Sequence, residues 1–314
     1  MQFLFPLATT YWGDVAYVAE RVLTVDELKA FVDGLPADGK PVGADAQDGW
    51  LFGTDQNPTV RLRELLARRL MRDGRLAEAQ PYFSAPAKDA PDERAVAAAY
   101  RAAVEAAQPT WRWRNVARAE ALFKVATLTR TQGMELMGTE GPPDFAALDG
   151  SFGFGVGQTG PWGQQEKTSD GWRKFATPAE IERVAASAPR PDARFHYRGV
   201  AADRALEAAA LLPHASQAYA ATLCWASRYA KDVGDVKRTW SIYKLYVATG
   251  PYQPWAKTFG SKCPDPDFDG ARHYWPKRIV REAQRHPALA FVAGLIIALL
   301  IAGSVVAIRH RRVA

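Results

Sequence analysis

Residues 60–83 read VRLRELLARRLMRDGRLAEAQPYF. The first half carries leucines spaced three and four residues apart, and Asp73-Gly74 then interrupts the pattern before a second apolar stripe begins. This order predicts two helices joined by a tight turn at Gly74, because glycine adopts the left-handed backbone conformation at little steric cost. The apolar positions of the two stripes are Leu62, Leu65, Leu66, Leu70, Leu76, Ala79 and Phe83.

Residues 65–83 resemble a tetratricopeptide repeat, a two-helix unit with small residues where the helices touch, a glycine at the turn and an aromatic residue in the second helix. Ala67, Gly74, Ala79 and Phe83 fill those positions. Pro81 departs from the pattern and is predicted to kink or shorten the second helix. The resemblance implies a stack of such hairpins, since one hairpin cannot bury its apolar face alone.

A second hairpin is predicted over residues 217–248, around Gly234, and it also resembles a tetratricopeptide unit. Ser227 and Tyr243 lie near the expected places, although Thr239 replaces the usual alanine. No constant period links the two hairpins. The second helix carries its apolar residues at spacings of four, three and four, at Val236, Trp240, Tyr243 and Val247.

The remaining pattern predicts an all-α protein with no strand. Capping boxes at Thr24–Glu27 and Thr177–Glu180 mark two helix starts. Residues 133–145 are predicted to be irregular because they are rich in glycine and proline. The phrases GMELMGTEG (133–141) and HYRGVAADRALEAAALLP (196–213) resemble segments of uncharacterised bacterial helical-repeat proteins, a resemblance that implies no activity.

Residues 288–308 read ALAFVAGLIIALLIAGSVVAI, with no charge and Ser304 as the only polar side chain. As a helix they would be ~31 Å long, which matches the hydrocarbon core of a bilayer. We therefore predict a helical-repeat domain (1–276), a basic juxtamembrane segment (277–287), a transmembrane helix (288–308) and a basic tail (309–314). Small residues recur every fourth position and predict packing or self-association of the span, at Ala290, Gly294, Ala298 and Ala302.

The overall composition is that of a globular protein, with 48% hydrophobic and 24% charged residues among 314. The formal net charge is +6, and part of the excess flanks the predicted span, where it suits anionic lipid headgroups. No basic stripe or motif indicates nucleic acid as a partner. The expected partners are therefore membrane lipid and proteins of unknown identity.

The charges on the two flanks of the span bear on which side of the membrane the helical domain occupies. Four basic residues precede the span within residues 277–287 and three arginines follow it, so the positive-inside rule does not decide. Residues 1–14 contain no basic n-region and no small-residue cleavage site, so no signal peptide is predicted. The basic cluster directly after the span is typical of a stop-transfer signal. It favours a single-pass protein of a bacterial inner membrane with its helical domain outside the cytoplasm. The missing signal peptide favours the alternative, a tail anchor with the domain in the cytoplasm. Our prediction is the first of these, and the second stays open.

The chain has two cysteines, Cys224 and Cys263, too few for a disulfide-stapled scaffold. A bridge between them would require an oxidising compartment. The interpretation we favour is that Cys224 is a small buried hydrophobe and Cys263 a loop thiol.

Three carboxylates, Glu135, Glu140 and Asp144, lie around the glycine-rich segment and are candidates for general acid–base catalysis. The alternative is that they form turns and cap helices. The five histidines have no metal-binding spacing, and most of them are predicted at the surface or at an interface: His196, His214, His273, His286 and His310.

Asp265, Asp267 and Asp269, followed by Gly270, resemble the first half of a calcium loop, but Pro276 stands where the bidentate glutamate should be. We interpret them as a solvated turn and predict no metal. Residues 155–160 match G-x-G-x-x-G without the strand and helix that a dinucleotide site requires, so no cofactor is predicted.

These patterns favour a membrane-tethered protein-interaction module over an enzyme. The alternatives are a hydrolase-like enzyme that uses the Glu135–Asp144 carboxylates and a structural component of the cell envelope.

Overall fold

The computed structural model describes residues 1–8, 11–35, 57–84, 92–109, 115–146, 175–274 and 284–287. Twelve α-helices and no strand occur in these ranges, so the all-α class is confirmed for this part of the chain. None of the described helices is long and apolar enough to cross a membrane. The predicted span at 288–308, with Ala290, Gly294, Ala298 and Ala302, lies outside the described residues.

The helices are α1 (Trp12–Tyr17), α2 (Val25–Asp33), α3 (Pro58–Arg72), α4 (Leu76–Ala79), α5 (Glu93–Ala106), α6 (Asn115–Thr131), α7 (Gly133–Met137), α8 (Pro178–Ala186), α9 (His196–Ala210), α10 (Gln217–Lys231), α11 (Val236–Thr249) and α12 (Phe268–Arg272). A π-helical turn, Val18–Val22, follows α1. Short 3-10 turns lie at Phe5–Leu7, Gln80–Tyr82 and Pro254–Thr258.

The first predicted hairpin is present as α3 and α4. Its leucine stripe on α3 is fully buried. Gly74 has φ +76°, and a Cβ added at this position would meet no atom within 4 Å. The turn therefore needs glycine for its backbone conformation rather than for space. α4 ends at Ala79 and continues as a 3-10 turn through Pro81, which confirms the predicted shortening.

The second hairpin consists of α10 and α11, with Gly234 at φ +75°. α11 buries Ile242 and Tyr246, and the Tyr246 ring stacks on Phe259 with centroids 4.7 Å apart. Because this side of the helix packs inward, the apolar stripe seen in the sequence faces solvent. The exposed fractions are 64% for Val236, 58% for Trp240, 37% for Tyr243 and 63% for Val247.

The two predicted capping boxes differ in the structure. At α2, the Thr24 hydroxyl accepts from Glu27 N and the Glu27 carboxylate accepts from Thr24 N, so the box is complete. At α8, Thr177 accepts from Glu180 N, but the Glu180 carboxylate accepts from the Tyr17 hydroxyl at 3.0 Å instead. The second box is therefore only half formed, because a tertiary partner takes its carboxylate.

The expectation that residues 133–145 are irregular is wrong for their first part, which forms α7. This short helix touches α3, α5, α6 and α9. A Cβ at Gly133 would collide with the Tyr197 ring, so glycine permits the close approach of α7 and α9. Tertiary contacts thus hold a turn of helix that local propensity disfavours.

Most helix contacts link successive elements: α2 with α3, α5 with α6, α9 with α10, and α10 with α11. Some helices also pack on elements that do not follow them in the chain, and the most extensive of these contacts joins α6 to α9. One apolar core gathers side chains of the elements up to α5 together with Leu136 and Met137 of α7. A second core, rich in alanine, joins α6 to α9, α10 and α11.

Cys224 and Cys263 form a disulfide with Cα atoms 5.6 Å apart, so the favoured interpretation of two free thiols is wrong. Cys224 is fully buried, as expected, and its sulfur also accepts a hydrogen bond from Gly260 N at 3.2 Å. The bridge fastens residues 251–266 to α10. The spacing of the cysteines did not show that this segment folds back on the helix.

Candidate functional site

Helix α3 carries four arginines whose side chains are almost completely buried, and we call this group the arginine row: Arg61, Arg68, Arg69 and Arg72. Arg61, Arg68 and Arg72 are seven and four residues apart, which places them on one side of the helix. Buried guanidinium groups require partners for their donors. Those partners come from the segment after α7 and from the turn after α1.

Glu140 is the main anionic partner of the arginine row. Its Oε1 accepts from Trp12 Nε1 at 2.7 Å and from Arg61 Nη2 at 3.2 Å, and its Oε2 accepts from Arg68 Nη2. The Arg61 guanidinium also lies over the Trp12 ring, 4.1 Å from its centroid. With both oxygens bound by these donors, Glu140 holds the fold together and offers no free base for catalysis.

The other two arginines of the row donate to backbone carbonyls, and Arg72 also pairs with a carboxylate. Arg72 pairs with the buried Glu20 and donates to the carbonyl of Gly138 at 3.0 Å. Arg69 donates to the carbonyls of Ala19 at 2.5 Å and Leu23 at 2.8 Å. Burial lowers the pKa of the Arg69 guanidinium, although Glu20 and Asp73 oppose the shift.

The arginine row therefore carries more positive charge than its buried partners neutralise. Four guanidinium groups face two buried carboxylates, those of Glu20 and Glu140. None of the ion pairs within the described ranges includes Arg69.

Asp144 is completely buried and closes a turn with Thr139. Its Oδ2 accepts from Thr139 N at 3.0 Å, and its own N donates to Thr139 Oγ1 at 3.0 Å. Oδ1 accepts from Phe195 N at 2.5 Å, and Oδ2 lies 2.9 Å from His196 Nδ1. Burial alone would raise the pKa of Asp144, but the contact with His196 and the two backbone donors outweigh it and lower the pKa.

The sequence predicts most of the histidines at the surface or at an interface, but His196 is buried, with only 3% of it exposed. Its Nδ1 is in ion-pair contact with Asp144 but is not aligned as a hydrogen bond, and its Nε2 has no hydrogen-bond partner among the described residues. A partnerless buried polar atom calls for an explanation. No local motif could have revealed the pair, because 52 positions of sequence separate its members.

The backbone beside this pair is strained. Phe145, next to Asp144, and Phe195, next to His196, have φ values of 56° and 55°. Residues other than glycine seldom adopt this left-handed conformation, which persists only where surrounding contacts impose it. The Asp144–His196 contact is thus held firmly from both sides.

Glu135, the third candidate, lies among different carboxylates. Burial and the neighbouring charge of Glu64 raise the pKa of Glu93 to about 7, and Glu135 adds to this effect while Arg68 opposes it. Glu135 Oε2 is itself buried without a hydrogen-bond partner in the described part of the chain. The three candidates therefore differ in their hydrogen-bond partners. Glu135 and Asp144 share one neighbour, Tyr197, whose pKa is raised by burial and by the charges of both carboxylates.

The three aspartates of the calcium-like loop also have separate roles. The Asp265 carbonyl accepts from Gln217, the Asp267 carboxylate caps α12 by accepting from Gly270 N at 2.7 Å, and Asp269 pairs with Arg272. Within the described ranges, no group of three or more His, Cys, Asp or Glu residues is arranged to hold a metal ion.

A cavity of about 780 Å³ opens beside the arginine row. Its wall includes the ends of α3 and α8, one side of α5 and α6, and His196 with the first turns of α9. This volume lies in the range of small-molecule sites. Comparisons with protein-family models, curated proteins and solved structures found no match, so function must be argued from this geometry.

Proposed function

We propose that this protein is a membrane-tethered protein-interaction module. The observation that carries the proposal is the stripe of Val236, Trp240, Tyr243 and Val247 along α11, which leaves two aromatic and two aliphatic side chains in solvent. Contiguous exposed apolar surface marks interaction sites, and aromatic residues are common anchors of interfaces.

The charge beside the stripe indicates the kind of partner. Lys237 and Lys244, seven residues apart on the same side of α11, are exposed and form no ion pair with a described residue. The sequence of α11 contains no Asp or Glu. We propose that the stripe binds an amphipathic helix of another protein, with apolar residues at spacings of three and four and acidic residues beside them.

The arrangement of the helices supports a tetratricopeptide-like architecture for the module. Both hairpins turn at a left-handed glycine, Gly74 and Gly234, and most helices pack on their neighbours in the chain. Stacked hairpins of this kind present helix faces along an extended surface. We propose that α11 supplies one such face.

The tether is the apolar sequence 288–308, and we propose that the helical domain lies outside the cytoplasm. The Cys224–Cys263 bridge supports this side, because structural disulfides persist in oxidising compartments. Protease added to spheroplasts should digest the domain without lysis of the membrane. A domain that resists until lysis would place it in the cytoplasm.

We further propose that the span packs against a second membrane helix through Ala290, Gly294, Ala298 and Ala302. Gly294→Leu should weaken a reporter of span association because the larger side chain separates the helix backbones. An unchanged reporter signal would remove this part of the proposal.

The hydrolase alternative has less support in the geometry. Two arginines and an indole occupy the Glu140 carboxylate, and Asp144 is bound by backbone donors on a buried turn. Among the described residues, His196 Nε2 and Glu135 Oε2 are without a hydrogen-bond partner, but they belong to separate clusters.

The stripe is tested best by crosslinking in native membranes. A photoreactive residue at position 240 or 247 of the full-length protein should give one discrete protein adduct, whose crosslinked peptide is an acidic amphipathic helix. The matched control is position 105, where Glu105 is exposed on α5 away from the stripe. Trp240→Glu should abolish the complex without lowering the melting temperature, because Trp240 is exposed.

Three outcomes would contradict this assignment. Adducts to lipid would show that the stripe lies on a membrane surface, and adducts to a second copy would show a homodimer. Equal adducts from position 105 would show that the stripe has no preference for a partner.

A further inference from the structure

We propose that the cavity beside the arginine row binds an organic anion, a molecule that carries a phosphate or carboxylate group on an apolar body. This site lies apart from α11 and is independent of the proposed interaction surface.

The charge of the cavity wall supports an anionic ligand. Six arginines and two carboxylates line it: Arg69, Arg72, Arg118, Arg183, Arg190, Arg204, Asp73 and Glu207. Three of these arginines are neutralised by ion pairs, Arg72 by Glu20, Arg183 by Glu27 and Arg204 by Glu207.

The other three arginines of the wall have no such partner among the described residues. Arg69 donates to backbone carbonyls, Arg118 donates to the carbonyl of Ala107 at 2.8 Å, and Arg190 forms no ion pair with a described residue. Within the described wall, Asp73 is the only carboxylate without an ion pair, so these three positive charges exceed the negative charge available to balance them. Guanidinium groups bind phosphate and carboxylate with two parallel hydrogen bonds, which makes them the preferred partners of such anions.

A buried polar atom adds an independent indication. His196 lines the cavity, is 3% exposed, and leaves Nε2 without a hydrogen-bond partner among the described residues. Asp144 holds the ring from the Nδ1 side, and the left-handed Phe195 fixes the backbone that precedes it. A ligand oxygen in the cavity would give Nε2 the partner that the described residues do not provide.

Much of the rest of the wall is apolar, which indicates an organic body rather than a bare ion. Side chains from α5 and α6, among them Val104, Leu122 and Val125, face the cavity together with Leu23 and Met137. Sites of this kind bury the apolar part of a ligand and orient it with a few polar groups. The free metabolite and the headgroup of an anionic lipid share this chemistry.

The test uses the full-length protein in phosphatidylcholine nanodiscs, with protein-free nanodiscs as the blank. Isothermal titration with 1-naphthyl phosphate should give saturable binding that weakens with added salt, because charge contributes to the affinity. The neutral 1-naphthol and inorganic phosphate should each bind at least about tenfold more weakly. 1-Naphthol lacks the anionic group, and inorganic phosphate lacks the apolar body. Equal binding of inorganic phosphate would overturn the assignment of an organic ligand.

Two variants locate the binding. Arg118→Gln and Arg190→Gln should each lower the affinity for 1-naphthyl phosphate about tenfold, because each removes one charge-assisted contact. The matched control is Arg101→Gln on α5, whose side chain pairs with Glu105 and does not line the cavity. Arg190 is exposed, so its variant tests the site even if Arg118→Gln lowers stability.

Two outcomes would overturn the proposed site. One is a titration with 1-naphthyl phosphate that gives no heat above that of the protein-free nanodiscs. The other is an equal affinity for 1-naphthyl phosphate in Arg190→Gln and wild type. Nanodiscs that contain phosphatidylglycerol distinguish the two sources of the anion. Weaker 1-naphthyl phosphate binding there would support a lipid headgroup as the natural ligand, and unchanged binding would support a free organic anion.

Discussion

The indole Nε1 of Trp12 donates a 2.7 Å hydrogen bond to Glu140 Oε1, across 128 positions of sequence. The same oxygen accepts from Arg61, whose guanidinium lies over the Trp12 ring. This contact joins α1, α3 and the segment after α7. It explains why Glu140, which the sequence offered as a catalytic candidate, serves the fold.

Glu140→Gln should lower the free energy of unfolding by ~3 kcal/mol or more, because it leaves the buried guanidinium groups of Arg61 and Arg68 without a compensating charge. Urea unfolding of the two proteins measures the difference. The control Glu105→Gln removes an exposed partner of Arg101 and should cost less than about 1 kcal/mol. Similar losses in both variants would show that Glu140 is not a buried charge partner.

The disulfide should contribute substantially to stability. Replacing Cys224 and Cys263 together by alanine should cost roughly 3–4 kcal/mol, because the unfolded chain gains the freedom of a loop that spans 39 positions. A melting curve with and without reductant checks this. Reductant should lower the melting temperature of the wild type and leave that of the double variant unchanged, and an insensitive wild type would contradict the bridge.

Gly74→Val should destabilise the protein by ~1 kcal/mol or more, because a β-branched residue resists the left-handed conformation at φ +76°. Gly13→Val is the matched control, since Gly13 also has open space around a Cβ but a helical backbone. That change should be neutral or slightly stabilising, because valine favours helix more than glycine does. Equal melting temperatures for the two variants would refute the role of Gly74.

Stability should fall as the pH rises from about 4.5 to about 7, because the folded state keeps a proton on Glu93 that the unfolded state has already lost. The contribution is complete below the ordinary pKa of 4.5 and is lost as the pH passes the folded value of about 7. Its size is on the order of 1 kcal/mol after allowance for the partial exposure of Glu93.

Glu93→Gln should flatten this part of the stability–pH curve, measured by urea unfolding at several pH values. Glu105→Gln, on an exposed side of the same helix, should retain the slope. A slope that survives Glu93→Gln would assign the titration to another group.

Much of the local structure could be predicted from the chain because it depends on residues a few positions apart. The leucine stripe of α3, the turn at Gly74 and the early end of α4 at Pro81 follow from helical spacing and from the backbone preferences of glycine and proline. The same reasoning could not assign a partner to an isolated carboxylate. Glu135, Glu140 and Asp144 stand out in the sequence, yet their contacts come from α1, α3, α5 and α9.

By itself, the sequence determined the helical class of the described residues and the two glycine-turned hairpins, since these depend on periodicity and local backbone preferences. Only the tertiary structure decided that α11 exposes its apolar stripe, that Cys224 meets Cys263, and that Asp144 lies against His196. Each of these depends on which distant helix packs on which face. That choice is made by the summed burial of many side chains, and no short stretch of sequence contains it.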